Sequence, residues 1–372
     1  MHLNSIEIDS YALCSALTAS SSVEFGKQVH THVVKMGFLS SVYVGSALID
    51  LYARVGLVRA ASNLFDEIPV RSTVCANALI SGFVESKMWG EGLGFSRRMS
   101  ALGLGYDGFT LCAVLRVCTG LSAVGLGKEV HAVLISTVCD VGGDVFLQSS
   151  LIEMYGKSGF VDKARYVFDL EGIERVGERK RDVVLWTTML GVYSRNGKFE
   201  EVIELYGEML GEGTKPDRVV FVAVISACGN TGNVSLGLEY FNSMVRDFGL
   251  EPQSEHYGCV VNMLCRTGKL DKAWKLVNKM PFEIGCSSGS ISMWGALLSA
   301  CAECGNVEMG KLAAKRTLEL DPQNVGIYVL LSNLYAGVGM WDEIRELRKV
   351  MQEKGLKKDV GYSWVDVNRK LI

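Results

Sequence analysis

Residues 195–209 read RNGKFEEVIELYGEM and residues 266–280 read RTGKLDKAWKLVNKM: one chain spells a turn glycine, a charged helix start and the same apolar positions twice. With that glycine as a ruler, equivalent positions fall at Gly56, Lys87, Ser122, Gly159, Gly197, Gly232, Gly268, Gly305 and Gly339, at steps of 31 to 38 residues. A repeat of roughly 35 residues along the whole length leaves no stretch over for a separate catalytic domain. In 183–217, Trp186, Met189, Leu190 and Tyr193 follow the i, i+3, i+4, i+7 spacing of a helix face. After Asn196-Gly197, the residues Phe199, Val202, Ile203 and Tyr206 follow it again. Each unit is thus a helical hairpin. One hairpin cannot bury its apolar face alone, so neighbours stack, and the expected fold is all-α: an α-solenoid of about nine helix-turn-helix repeats, with function along its concave surface.

Composition agrees with a packed array. Hydrophobic residues make up 48% of the chain and only 5 of 372 residues are proline, which argues against disorder. The longest apolar run, VVFVAVISAC at 219–228, falls well short of the roughly 18 residues of a membrane span, so no membrane role is expected. Several of the 11 cysteines, including Cys118, Cys228, Cys265 and Cys301, sit inside apolar helical patterns, as free thiols do in a reducing compartment. The N-terminal MHLNSIEIDS carries Glu7 and Asp9, lacks arginine and has no apolar core, so it shows no secretory or transit sequence. A net charge of −3 argues against broad polyanion binding and leaves a local basic groove open.

A longer period lies above the first. GKQVH at 26–30 returns as GKEVH at 127–131, and VYVGSALIDLYARVG at 42–56 returns as VFLQSSLIEMYGKSG at 145–159, about three units further on. Units opening TVCANALISGF (73–83) and VVLWTTMLGVY (183–193), the latter closing on GTKPD (213–217), resemble pentatricopeptide repeats, and the triplets resemble the plant PLS subclass. In that reading L-type units occupy 10–41, 108–144 and 218–253, S-type units 42–72, 145–182 and 254–284, and P-type units 73–107 and 183–217. The segment 293–344 with GYSWVDV (361–367) resembles the E region of the subclass. The implied organisation is an N-terminal segment 1–9, a repeat array 10–284, E-type repeats resembling tetratricopeptide repeats at 285–359, and a truncated E+-like tail 360–372, wound as a right-handed superhelix. The charged GIERVGERKRD within 172–182 and the Gly/Ser-rich insertion in 281–294 read as loops between repeats.

The resemblance implies single-stranded RNA binding, about one base per repeat, read by the fifth residue of the first helix and the last residue of the unit. Those pairs are Asn77 with Asp107, Ser149 with Asp182, and Thr187 with Asp217. Similarity to the family code assigns them U, G and G. Amides and hydroxyls donate and accept whereas carboxylates only accept, so such pairs can separate base edges. Second residues Tyr43, Val74, Phe146 and Val184 match the apolar positions that sandwich bases in the family. Ser46 with Ser72 has no decoding. Cys112 and Val222, at the fifth position of L-type units, cannot make strong base-specific hydrogen bonds, and those units are read as spacers. Three reading units would match random RNA about once in 64 positions, so a partner or a longer chain is needed.

E regions in the family serve C-to-U editing of organellar transcripts by placing or recruiting a deaminase. The resemblance thus implies a mitochondrial or chloroplast RNA adaptor, with a deaminase-bearing pentatricopeptide repeat protein or an editing factor docking through 285–372. Alternatives are a splicing or stability factor and a protein-interaction scaffold. A zinc deaminase needs H-x-E and P-C-x-x-C; no histidine begins an H-x-E, and Cys301-Ala302-Glu303-Cys304 is a lone C-x-x-C in the repeat's ordinary place. No intrinsic deaminase activity, enzyme activity, metal or cofactor is expected. GLGKEVH (125–131) lacks the spacing of a phosphate loop, and His30 and His131 read as helix residues rather than ligands or catalytic bases. Trp186, Trp274 and Trp341 read as packing residues. Arg179, Lys180 and Arg181 read as a solvated loop, with a phosphate contact as the alternative. For Asn77 and Thr187 the competing assignment is a helix cap or a solvated position.

Overall fold

A computed structural model describes residues 9–20, 22–137, 144–173, 181–280 and 288–356. The segment 1–8, most of the charged stretch 172–182 with Arg179 and Lys180, residues 281–287, and the tail 360–372 with GYSWVDV lie outside the described residues. The chain divides into two compact units, Met1–Gly197 and Lys198–Ile372.

In the first unit the helices are α1 (Ser10–Ala19), α2 (Val23–Lys35), α3 (Val42–Arg54), α4 (Val58–Glu67), α5 (Thr73–Glu85) and α6 (Trp89–Ala101). They continue as α7 (Gly108–Gly120), α8 (Val124–Thr137), α9 (Val145–Lys157), α10 (Val161–Ile173) and α11 (Val183–Arg195). The second unit holds α12 (Phe199–Gly211), α13 (Arg218–Thr231), α14 (Val234–Arg246), α15 (Ser254–Arg266) and α16 (Leu270–Lys279). It ends with α17 (Ser288–Cys304), α18 (Val307–Leu320), α19 (Val325–Gly337) and α20 (Trp341–Glu353). Among the described residues the α-helices therefore form ten successive pairs and no strand occurs. The turn ruler counts nine because the sequence between α1 and α2 carries no glycine.

Two local signals set these boundaries. All nine ruler positions hold φ between 54° and 80°, the left-handed region that closes a helix and turns the chain; Lys87 (56°) and Ser122 (54°) reach it without being glycine. Most described first helices then open on a side-chain N-cap. Asp9, Ser72, Asp107, Asp144, Asp182, Asp217 and Asn324 each accept from an amide in the first turn and so satisfy a donor the helix leaves unpaired.

Within each unit, first helices pack on first helices. In the first unit this runs α1–α3–α5–α7–α9–α11, and in the second α13–α15–α17–α19. Second helices pack within their own pair and against the following first helix, as α4 on α5, α8 on α9 and α16 on α17. The result is a layer of first helices with one face covered by second helices and one face open. Close approach between first helices needs small residues: a Cβ on Gly156 of α9 would stand 2.2 Å from Val192 Cγ2 of α11.

Aromatic pairs fill the seams, including Phe65 with Phe95 and Phe168 with Trp186 (both 5.0 Å between ring centres) in the first unit. Tyr206 with Tyr240 (5.1 Å) and Trp274 with Trp294 (5.8 Å) do so in the second. Trp186 is fully buried, as its spacing predicts. Trp341 is not a packing residue: it opens α20 and is 63% exposed, because no further helix follows it among the described residues. Arg181 departs from the solvated-loop reading. Its guanidinium lies over the rings of Phe168 (4.9 Å) and Trp186 (5.6 Å), with Asp169 at 3.9 Å, so it closes the core.

Candidate functional site

The open face of the first-helix layer carries a row of exposed apolar side chains at the second position of successive helices. In the first unit these are Tyr11, Tyr43, Val74, Phe109, Phe146 and Val184, and in the second Val219, all between 43% and 79% exposed. An isolated exposed apolar side chain needs no explanation; one at the same offset in all six first helices of the first unit marks a surface built for contact. At α15 the row ends, where the second residue is Glu255, and α19 carries Gly326 there. Sequence reasoning named Tyr43, Val74, Phe146 and Val184. Tyr11, Phe109 and Val219 were missed because they belong to the L-type units set aside as spacers, although the same ruler finds them.

Three positions further along each first helix comes the fifth residue. Asn77 lies in the second turn of α5 and is 8% exposed, so it is neither a cap nor a solvated position. Its Nδ2 donates to both carboxylate oxygens of Asp107, at 3.1 and 3.0 Å, which brings the predicted pair together. Asp107 Oδ1 also accepts the Thr110 amide at 2.8 Å as the cap of α7. The buried Thr110 hydroxyl lies 2.6 Å from Asn77 Oδ1 and 2.8 Å from Asp107 Oδ1, and so locks the amide to the cap. Burial pushes the Asp107 pKa up, but hydrogen bonds from the Thr110 amide, the Thr110 hydroxyl and Asn77 outweigh it and hold the carboxyl below its ordinary value. Thr110 was missed by sequence reasoning; the signal is Asp107-x-x-Thr110, a residue pair at capping-box spacing.

The other predicted residues are arranged differently. Ser149 donates to the Phe146 carbonyl (3.0 Å) and Thr187 to the Val183 carbonyl (2.7 Å), as Ser46 does to Val42 (2.7 Å). With its proton directed into its own helix, each hydroxyl offers only lone pairs to the open face. Asp182 accepts the Val184 amide (2.8 Å) and Asp217 the Val220 amide (2.9 Å), each as a cap. No hydrogen bond joins Ser149 to Asp182, and Thr187 and Asp217 belong to different units.

His30 and His131 face away from this surface chemistry: each Nδ1 meets a tyrosine hydroxyl of the next first helix, Tyr52 at 3.0 Å and Tyr155 at 2.9 Å. Cys301 is buried at the end of α17, and the Cys304 thiol points to its carbonyl at 3.6 Å. No group of three or more His, Cys, Asp or Glu among the described residues is placed to hold a metal ion, and no described helix is long and apolar enough to cross a membrane.

Comparison with known proteins matches this arrangement to one family. Residues 46–72, 149–170, 181–230, 219–247 and 248–281 match models of the PPR repeat, and residues 304–366 match the E motif. The chain belongs to the pentatricopeptide repeat family. Similar family members in Arabidopsis thaliana include a mitochondrial pentatricopeptide repeat-containing protein, 35% identical over 97% of this chain and 55% of its own length. Another is the chloroplastic protein CRR2, 36% identical over 93% of this chain and 51% of its own. The chain thus spans about half the length of these relatives. Among solved structures, the pentatricopeptide repeat protein PPR10 in complex with an 18-nt psaJ RNA element shares the fold. It has a TM-score of 0.74 at 15% identity, over 95% of this chain and 52% of PPR10.

Proposed function

We propose that this pentatricopeptide repeat chain is a single-stranded RNA-binding adaptor of a plant organelle, serving C-to-U editing with the deaminase supplied by a partner. The observation that carries RNA binding is the row of exposed second-position side chains. Apolar groups at regular intervals, four of the seven aromatic, offer packing and stacking surfaces to successive bases, and polar side chains stand beside them at the fifth position and the cap. The hydroxyl of Ser149 or Thr187, its proton directed into the helix, and a cap carboxylate are all acceptors. They suit guanine, whose Watson–Crick edge presents adjacent donors. Asn77 keeps an amide that can both donate and accept, which suits uracil's mixed edge once the base displaces part of the Asp107 contact. Relatives named for the mitochondrion and the chloroplast support an organellar site of action. The end of the row at α15 supports giving 285–372, with its E motif, to a protein partner rather than to RNA.

Selection from a random single-stranded RNA pool tests the reading. Wild type should enrich U and, at a fixed spacing, G; Asn77→Ala should relax only the U position, and Thr187→Asn should move the G position toward U. Absence of any enrichment at moderate salt would overturn RNA reading, and capture of RNA without an editing defect in a plant lacking the protein would separate binding from editing.

A further inference from the structure

Two cavities open side by side on the exposed face of α7 and α9. One, of about 380 Å³, is lined by Phe109, Cys112, Arg116, Asp144, Phe146 and Ser149. The other, of about 350 Å³, is lined by Arg116, Thr119, Ser149, Ser150, Lys157 and Thr188, with Glu153 in its wall. Both lie in the first unit, and Arg116 faces into each.

Cys112 cannot read a base there. Burial pushes its thiol pKa up to about 11, which leaves it neutral and a weak donor. Asp144 Oδ1 is engaged as the α9 cap, accepting Phe146 N at 2.9 Å and Leu147 N at 3.2 Å. What distinguishes this hairpin is its cation. Arg116 is the ninth residue of α7; the ninth residues of α1, α3, α5, α9 and α11 are Thr18, Asp50, Ser81, Glu153 and Gly191. The other lysines and arginines within the first helices of this unit are already matched. Arg54 pairs with Asp50 (2.9 Å) and reaches carbonyls of α1, while Lys157 (3.2 Å) and Arg195 share Glu153. Arg116 is exposed and has no ion-pair or hydrogen-bond partner among the described residues. An unmatched guanidinium between an aromatic-lined cavity and a hydroxyl-lined one suits the two halves of a nucleotide.

We propose that Arg116 is a phosphate clamp, and that the hairpin of α7 and α8 grips the sugar-phosphate backbone of bound RNA instead of merely spacing its neighbours. This rests on the RNA-binding reading and deepens it. The base opposite Cys112 goes unread, while the guanidinium adds a sequence-independent contact within an overall acidic chain, fixing where the strand lies against the reading units on either side.

The test is binding of the full chain to single-stranded RNA of random sequence at salt concentrations from about 0.05 to 0.2 M. Wild type is compared with Arg116→Gln and Arg116→Lys, and base preference is followed by pool selection. Loss of one phosphate contact should lower the slope of log affinity against log salt by about 0.7, which corresponds to about fivefold weaker binding near 0.1 M salt. Arg116→Lys should retain most of the slope, and base preference should be unchanged in both variants. An unchanged slope in Arg116→Gln, with wild type binding RNA, overturns the clamp and leaves RNA binding standing. Loss of base preference at one position would make Arg116 a base reader and also overturn it. Failure of wild type to bind RNA overturns the parent reading and the clamp together.

Discussion

Thr110 shows how much of the Asn77–Asp107 arrangement rests on a residue that no base-contact rule would select. Its hydroxyl is the only described partner of Asn77 Oδ1, and its amide is the donor that Asp107 caps. Thr110→Val, which keeps the shape and removes the hydroxyl, should leave Asn77 Oδ1 buried and unpaired and cost about 1–3 kcal/mol, read as a lower urea midpoint. The same variant should raise the Asp107 pKa. A carboxyl held below its unfolded value contributes stability above that value and loses it as pH falls through the folded pKa, so Thr110→Val should also shrink the acid-dependent part of stability, measured by denaturation between pH 6 and about 3. The pair Asn77–Asp107 was legible because both positions are fixed by counting from the turn. Thr110 was not, since a hydroxyl in an apolar run reads as filler until the helix start is known. Lys87 and Ser122 make the complementary point: the count found them because the position is defined by a backbone angle, which glycine favours but does not own.

At the level of whole helices, the two GK-x-VH segments were legible as second-helix starts, and their purpose was not, because the partner tyrosines lie 22 and 24 residues away. His30 on α2 and His131 on α8 each bind the tyrosine of the next first helix, with the rings edge to face at 5.7 Å, so each latch ties an L-type hairpin to the S-type hairpin that follows. Burial lowers the pKa of His30 against the opposing charge of Glu67, and burial with Lys163 lowers that of His131. A histidine whose folded pKa lies below its unfolded value of about 6.5 takes up more protons when unfolded, so the latches favour the fold above that pH and lose their contribution as pH falls below it. The melting temperature of wild type should therefore drop between pH 7.5 and about 5.5 by more than that of the His30→Gln/His131→Gln double variant. Equal slopes would show that the latches carry no proton linkage.

Across the molecule, every packing contact described joins an element to a near neighbour in the chain, so stability is a sum over adjoining hairpins rather than the property of one core. Unfolding should then be resolvable into the two units. Phe168→Ala, against Trp186, should cost about 3–5 kcal/mol and move the transition of the first unit, while Phe221→Ala, between Tyr206 and Phe248, should move that of the second. Because the chain has 6 tryptophans, variants that keep only Trp186 or only the Trp274–Trp294 pair would report on the two units separately; coincident shifts in both would show a single cooperative body. The helical hairpin array was legible at this scale because its period is written many times over, whereas the two cavities beside Arg116 were not, because each is assembled from residues of more than one hairpin. The last residue of a hairpin caps the first helix of the next, so under the proposed RNA reading spelling and scaffolding would share the same atoms. A chain rewritten to recognise another transcript can draw its final letters only from residues able to hold a helix start, and the divergence of such arrays is channelled along that short alphabet.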